Sequence, residues 1–346
     1  MVPQPFAQWL LWEEQSNFLG FRTTTEPVDL EVAVVPRAEL RVETAADASP
    51  ELVARFVDAE RVRFPKHPLN RDRSVVYASA PTAERWRARF TSSRTLVVAD
   101  DGGRPFALKL ATSHPHPDVC QPEKTRMRTE VDEALQFAAH VRAVDARLGA
   151  DPELILLCES LGVRAHEGET GYLVRDLTRL CDGHAYLPAF SIPFVGGAIA
   201  AHAGREFAAF WGDAYAEPVG RAKARLLARY GLQYVTPNPQ NILVQLDRRL
   251  RPTGAIVFRD LADTDFVTDA ARACGADWTR MTAKLAPETA NSFWAFEQAP
   301  DSPADLDTLA HWYRRHDRAY LDELRRQRGL RCDSLEELAR ELARAA

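Results

Sequence analysis

The sequence predicts an α+β protein, with antiparallel hairpins in its first two thirds and a mainly helical last third. Three observations carry this. Apolar runs at 95–99 and 105–111 flank an Asp101-Gly102-Gly103 turn, the local signature of a hairpin. A second pair of runs, 241–246 and 255–259, flanks Asp247-Arg248-Arg249 and is closed by Pro252 and Gly254. Beyond Val267 helical spacing dominates, over 269–285 and 302–328, and a last helix at 333–345 is announced by Ser334, Glu336 and Glu337.

The remaining elements follow in order. Ser49-Pro50-Glu51 opens an amphipathic stretch read as helix through Phe64: the serine caps, the proline presets φ and the acid suits the positive helix end. Pro65-Lys66-His67-Pro68 stops it. A strand at 74–78 and a helix at 82–90 precede the first hairpin, whose second strand carries Lys109 near its end. Helical periodicity covers 129–148, and short apolar runs at 154–158 and 171–175 read as strands, placing Arg175-Asp176 at a strand exit. Pro188, Pro193 and Gly196-Gly197 predict a loop. A long helical segment from about 199 to Tyr230 ends at Gly231, as a left-handed cap requires. The chain divides on this reading into 1–92, 93–198 and 199–346.

Composition narrows the class. With 346 residues, 46% hydrophobic and 27% charged, the chain can bury a core and enclose a cleft between lobes. A net charge of −5 argues against a nucleic-acid surface, which is normally basic. Cys120, Cys158, Cys181, Cys274 and Cys332 form no CxxC pair and no dense disulfide framework, which suits a reducing cytoplasm. The start, Met1-Val2-Pro3-Gln4-Pro5 with Glu13 and Glu14 soon after, lacks the basic and apolar segments of a signal peptide. No apolar run approaches the roughly 18 residues of a membrane helix, so no membrane partner is expected.

Two constellations point to chemistry. The second hairpin brings Asn241, at the start of one strand, and Asp260, at the end of the other, to one sheet edge. An amide and a carboxylate there suit Mg²⁺ and nucleotide phosphates, because Mg²⁺ takes a few hard oxygen ligands and leaves the rest to phosphate and water. The alternative is structural: Pro237 and Pro239 shape a turn, Asn238 and Asn241 cap it, and Asp260 pairs with Arg259 or a neighbour. The loop Pro65-Lys66-His67-Pro68-Leu69-Asn70-Arg71-Asp72-Arg73 gathers His67, Arg71 and Arg73, a set able to grip a carboxylate or phosphate. Its alternative is a solvated basic turn. His114-Pro115-His116 reads as an exposed loop, and Phe293, Trp294 and Phe296 as core.

These stretches resemble the NRPS-independent siderophore synthetases, the family of the aerobactin synthetases. Gln240-Asn241 and Arg259-Asp260 match that family's Gln-Asn strand entry and later Arg-Asp, with Tyr230-Gly231-Leu232 standing just upstream as in its pattern. In the loop at 65–73, His67 matches the second histidine of Gly-His-Pro-x-His-Pro-x-x-Lys-x-Arg-x-Gly, Arg73 matches the arginine, and Arg71 replaces the lysine. The segment from Phe106 to Ser113 is similar to the family's Lys-x-Ser followed by Thr-Ser, with Lys109 as the lysine. The matches run in the family's order from about 60 to 265.

The resemblance implies an ATP- and Mg²⁺-dependent ligase that joins a carboxylic acid to an amine or alcohol through an acyl-adenylate, in siderophore or related biosynthesis. It implies sheet lobes around an ATP cleft and a helical C-terminal lobe, and a homodimer. ATP would be bound by Lys109, Thr112, Ser113, Arg126, Arg128, Gln240, Asn241 and Asp260, and the metal by Asn241 and Asp260. The acid would meet His67, Arg71, Arg73 and Arg175, and catalytic roles would fall to Lys109, His67, Asn238 and Arg126. The chain departs from the pattern at Asn238, where the family has histidine, at Thr236, where it has glutamate, and at Ala111, where it has serine.

Two other classes fit parts of the pattern. Lys109, Asn241 and Asp260 imitate the lysine and metal ligands of a kinase, but Thr236 stands where a kinase places its catalytic aspartate, and no GxGxxG loop is present. A non-catalytic ATP-binding homologue would account for Asn238 and Ala111.

Overall fold

A computed structural model describes residues 4–16, 26–68, 70, 77, 80–99, 103–112, 128–166, 170–234, 238–261, 264–267, 283–284, 292–293, 295–296, 299 and 302–328. In chain order its helices are α1 (Gln4–Ser16), α2 (Pro50–Phe56), α3 (Arg128–Leu148), α4 (Ile192–His202), α5 (Phe207–Trp211), α6 (Glu217–Tyr230) and α7 (Leu306–Arg328). The strands are β1 (Val28–Pro36), β2 (Leu40–Thr44), β3 (Arg61–Pro65), β4 (Thr82–Phe90), β5 (Thr95–Val98), β6 (Phe106–Leu110), β7 (Leu154–Leu157), β8 (Leu161–Ala165) and β9 (Gly171–Asp176). They continue with β10 (Ala185–Pro188), β11 (Leu232–Tyr234), β12 (Ile242–Leu246), β13 (Pro252–Arg259), β14 (Thr264–Val267) and β15 (Ala283–Lys284). The α+β class is therefore observed. Contacts divide the chain into two units, 1–139 with 157–182, and 140–156 with 183–346.

The first unit is built on an eight-stranded sheet of order β2-β8-β9-β6-β5-β4-β1-β3, antiparallel throughout. One face carries an aromatic core: Phe56 of α2 packs edge-on against Trp86 and Phe106 at 5.3 and 5.2 Å. Arg55 lays its guanidinium over the same two rings, at 5.3 and 4.7 Å, covering them with a cation–π contact. Gly162 is required by close approach, since a Cβ there would lie 2.6 Å from Val131 of α3.

The second unit contains a four-stranded sheet, β10-β12-β13-β7, and a three-stranded one, β11-β14-β15. Its helices α6 and α7 pack so closely that a Cβ on Gly220 would lie 2.3 Å from the carbonyl oxygen of His316. Alanine gains about 1 kcal/mol of helix propensity over glycine, but here it meets backbone that cannot rotate away. Gly220→Ala is expected to destabilise the protein by about 2–3 kcal/mol in a urea titration. Arg225 on α6 adds a buried ionic link: it pairs with Asp151 at 2.9 Å, Glu153 at 2.5 Å and Glu323 of α7 at 2.8 Å.

The helix begun at Ser49 is real but shorter than expected. Ser49 Oγ accepts from the Leu52 amide at 3.4 Å and Pro50 opens the helix, which ends at Phe56 with Val57 extended. Asp58 then accepts from the amides of Glu60 and Arg61, at 2.9 and 2.7 Å, and turns the chain into β3.

The predicted helix at 82–90 is strand β4. Trp86, Ala88 and Phe90 are buried while Arg85 and Arg87 are exposed, a period of two that outweighs the helix propensity of Ala, Glu and Arg. The loop predicted around Gly196-Gly197 is helix α4, with Pro193 in its first turn. Gly196 lets Trp211 approach, and Trp211 Nε1 donates to its carbonyl at 3.1 Å. The long helix predicted from about 199 is interrupted at Gly204, whose φ is +67°, before α5 and α6.

Both hairpins, the helix at 129–148 and the Gly231 cap, φ +67°, are as expected. The strand predicted at 74–78 falls almost wholly outside the described residues. So does the helix at 269–285, of which only Ala283 and Lys284 are described, as β15. The helix at 333–345, His114, His116 and Trp294 also lie outside them.

Candidate functional site

Each unit carries one cluster of the candidate residues. In the first, β6 ends at Leu110 and runs on through Ala111 to Thr112, which is buried. The loop after β3 docks on that strand end, because Asn70 Nδ2 donates to the Ala111 carbonyl at 3.0 Å. His67 is 2% exposed, stacks edge-on against Phe90 at 5.6 Å, and its Nε2 meets the Ser93 carbonyl at 2.8 Å. A carbonyl only accepts, so Nε2 carries the hydrogen. Residues some forty positions apart in sequence thus converge at one end of the sheet.

Lys66, which sequence reasoning passed over, roots this loop. Its Nζ donates to the Ala80 carbonyl at 2.9 Å and to Thr82 Oγ1 at 3.0 Å, and it pairs with Glu31 at 2.8 Å. Glu31, held first by Lys66 and then by Thr82, has its carboxyl pulled down to about 2. The signal for Lys66 was its place inside the loop motif, directly before His67.

Lys109 lies opposite Thr95 of β5 and Leu173 of β9, and Arg175 lies opposite Ala107. By the two-residue alternation of strands, Lys109 and Arg175 share the sheet face that the aromatic core does not occupy. Arg175 is buried and forms an ion pair with the buried Glu159, so the structure gives it a partner on the link between β7 and β8. Asp176 pairs with Arg104 at 3.0 Å and accepts from the Thr178 amide at 2.8 Å. Arg71, Arg73, Ser113 and Arg126 lie outside the described residues, and Arg128 is the first residue of α3.

In the second unit the register Ile242↔Phe258 places Asn241, just before β12, and Asp260, just after β13, at one edge of the four-stranded sheet. Asn238 shapes the entry. Its Oδ1 accepts from the Gln240 amide at 3.0 Å and its carbonyl accepts from the Asn241 amide at 2.7 Å, forming the single turn Pro239–Asn241. Asn238, expected from the sequence to have a catalytic role, works here as a cap. Arg259 donates from Nη2 to the Gln240 carbonyl at 2.5 Å. Asp260 takes a left-handed φ of +60°, a region that aspartate and asparagine enter more readily than other non-glycine residues. Thr236 lies outside the described residues.

Among the described residues no group of three or more His, Cys, Asp or Glu side chains is placed to cage a metal. Asn241 and Asp260 offer two hard-oxygen ligands at one edge, a set that fits a Mg²⁺ ion whose remaining ligands are phosphate and water. Among the described residues no helix is long and apolar enough to cross a membrane.

No protein-family model matches the sequence, and no curated protein matches it. Solved structures do. Aerobactin synthetase IucC from a hypervirulent pathotype of Klebsiella pneumoniae aligns at 15% identity and TM-score 0.58, over 88% of this chain and 63% of that one. ATP-bound aerobactin synthetase IucA from the same pathotype aligns at 18% identity and TM-score 0.58, over 87% of this chain and 63% of that one. The petrobactin biosynthesis protein AsbB from Bacillus anthracis str. Sterne aligns at 14% identity and TM-score 0.59, over 96% of this chain and 70% of that one. The chain spans less than two thirds of the length of the two Klebsiella synthetases, and across that span its fold is like theirs.

Proposed function

We propose that the chain is a cytoplasmic ATP-dependent ligase that condenses a small carboxylic acid with an amine or alcohol through an acyl-adenylate. The observation that carries this reading is the edge at Asn241 and Asp260, where the hairpin register sets an amide residue and a carboxylate residue at the same end of two paired strands. The likeness in fold to synthetases, one of them ATP-bound, supports it.

In the proposed reaction a carboxylate oxygen attacks the α-phosphorus of ATP, and the bond to pyrophosphate breaks. The amine or hydroxyl then attacks the acyl carbon, AMP leaves with the oxygen that joined them, and the nucleophile loses its proton to solvent or a base. Gln240 and Asn241 orient the nucleotide. Asn241 and Asp260 would hold Mg²⁺, which supplies positive charge where the phosphoryl oxygens gain negative charge. Asn238 serves as the cap that keeps Gln240 and Asn241 in place.

The test is exchange of labelled pyrophosphate into ATP across a panel of carboxylic acids. Exchange that requires both Mg²⁺ and one of the acids is expected. Phosphate transfer to a hydroxyl without acid would make the chain a phosphotransferase, and nucleotide binding with no exchange for any acid would make it a non-catalytic relative in which the Asn238 cap has replaced the family's histidine.

A further inference from the structure

The turn that carries Asn241 and the strand end that carries Asp260 are joined by Arg259. The residue is buried, and its guanidinium donates to the Gln240 carbonyl, on the turn, at 2.5 Å. The same turn is held from its other side by Asn238, which accepts from the Gln240 and Asn241 amides. Asp260 follows Arg259 directly, at φ +60°, and is followed in turn by the fully buried Leu261. Aspartate enters this region more readily than most non-glycine residues. Here the buried Arg259 on one side and the buried Leu261 on the other fix both ends of the residue.

We propose that Arg259 is a positioning residue: by tying the turn Pro239–Asn241 to the end of β13 it sets the placement of the Asn241 amide relative to the Asp260 carboxylate. This rests on the reading of that edge as a metal–nucleotide site. The chemistry suits the task. A guanidinium is planar and permanently charged and presents several donors in a rigid fork, whereas the ammonium of lysine is a point donor on a flexible stem. Groups that orient metal ligands from behind typically change metal affinity 10- to 100-fold when replaced.

Thermal melting of the full chain with ATP, titrated with MgCl₂, reads this directly. The wild type is expected to show a nucleotide-dependent rise in melting temperature that requires Mg²⁺. In Arg259→Met the Mg²⁺ concentration for half the rise should increase about tenfold or more, and in Arg259→Lys by less. The melting temperature of Arg259→Lys without nucleotide should stay at the wild-type value. An unchanged Mg²⁺ requirement in both variants would overturn the positioning role alone, since the wild-type rise would still stand. If Arg259→Met fails to fold, an unchanged requirement in Arg259→Lys overturns it. No nucleotide-dependent rise in the wild type would overturn the site reading together with this inference.

Discussion

Asp260→Asn is expected to lower Mg-ATP-dependent turnover by about a hundredfold or more, a loss of several kcal/mol of charge stabilisation, while the melting temperature stays at the wild-type value. The choice of asparagine matters because Asp260 sits at φ +60°, a region asparagine tolerates and alanine does not. Asp260→Ala should therefore lose the same activity and, in addition, about 1–2 kcal/mol of stability. Steady-state turnover and denaturant unfolding on the two variants separate the lost carboxylate from the left-handed backbone requirement. Full activity in Asp260→Asn would remove the carboxylate from the metal's ligand set.

The second large effect lies in the helical packing of the second unit. Lys223 on α6 is buried, and burial pushes its amine down to about 7, with Asp317 opposing the shift. His316 on α7 is lowered to about 4, first by burial and then by the charge of Lys223, with Asp317 again opposing. The ring of Phe293 packs edge-on against His316 at 5.9 Å. The sign follows from proton binding: between about 7 and the ordinary lysine value the unfolded chain holds a proton that the folded chain does not, so stability rises with pH across that window. His316 adds a second rise between about 4 and the ordinary histidine value. The unfolding free energy measured by urea titration should climb by several kcal/mol from neutral pH to pH ~10. In Lys223→Met that climb should vanish. An unchanged slope in the variant would show that Lys223 does not titrate with folding.

What the sequence made legible was local. Both hairpins, the Ser49 cap, the helix at 129–148 and the Gly231 stop rest on signals contained within a few residues, and each is present. The hairpin reading also placed Asn241 and Asp260 at one edge without any tertiary information, because the register of a hairpin follows from its turn. The failures were tertiary. β4 reads as helix by residue preference until its partners β1 and β5 dictate a period of two. β2 finds its partner, β8, over a hundred residues away, beyond the reach of any local pattern. α4 reads as loop because Gly196 and Gly197 look like breakers, whereas Gly196 is there to admit Trp211.

The site shows the same division. Residue types and spacing singled out Lys109, His67, Asn241 and Asp260, but not what neighbours do to them. Glu159, sixteen residues before Arg175 on the link between β7 and β8, engages that arginine. Lys66 is claimed by Glu31, Thr82 and Ala80. Asn238 is a cap, as the structural alternative in the sequence had it. The burial of Lys223 and His316 between α6 and α7 depends on Gly220 bringing two helices together, which no spacing in either helix announces.

The nucleotide that remains after turnover tests the adenylation step most directly. With Mg-ATP, the acid that supports pyrophosphate exchange and an amine acceptor, chromatography of the reaction should show AMP and pyrophosphate forming in equal amounts with the condensed product. ADP as the accumulating nucleotide, or ATP consumption that does not depend on the acid, would contradict it.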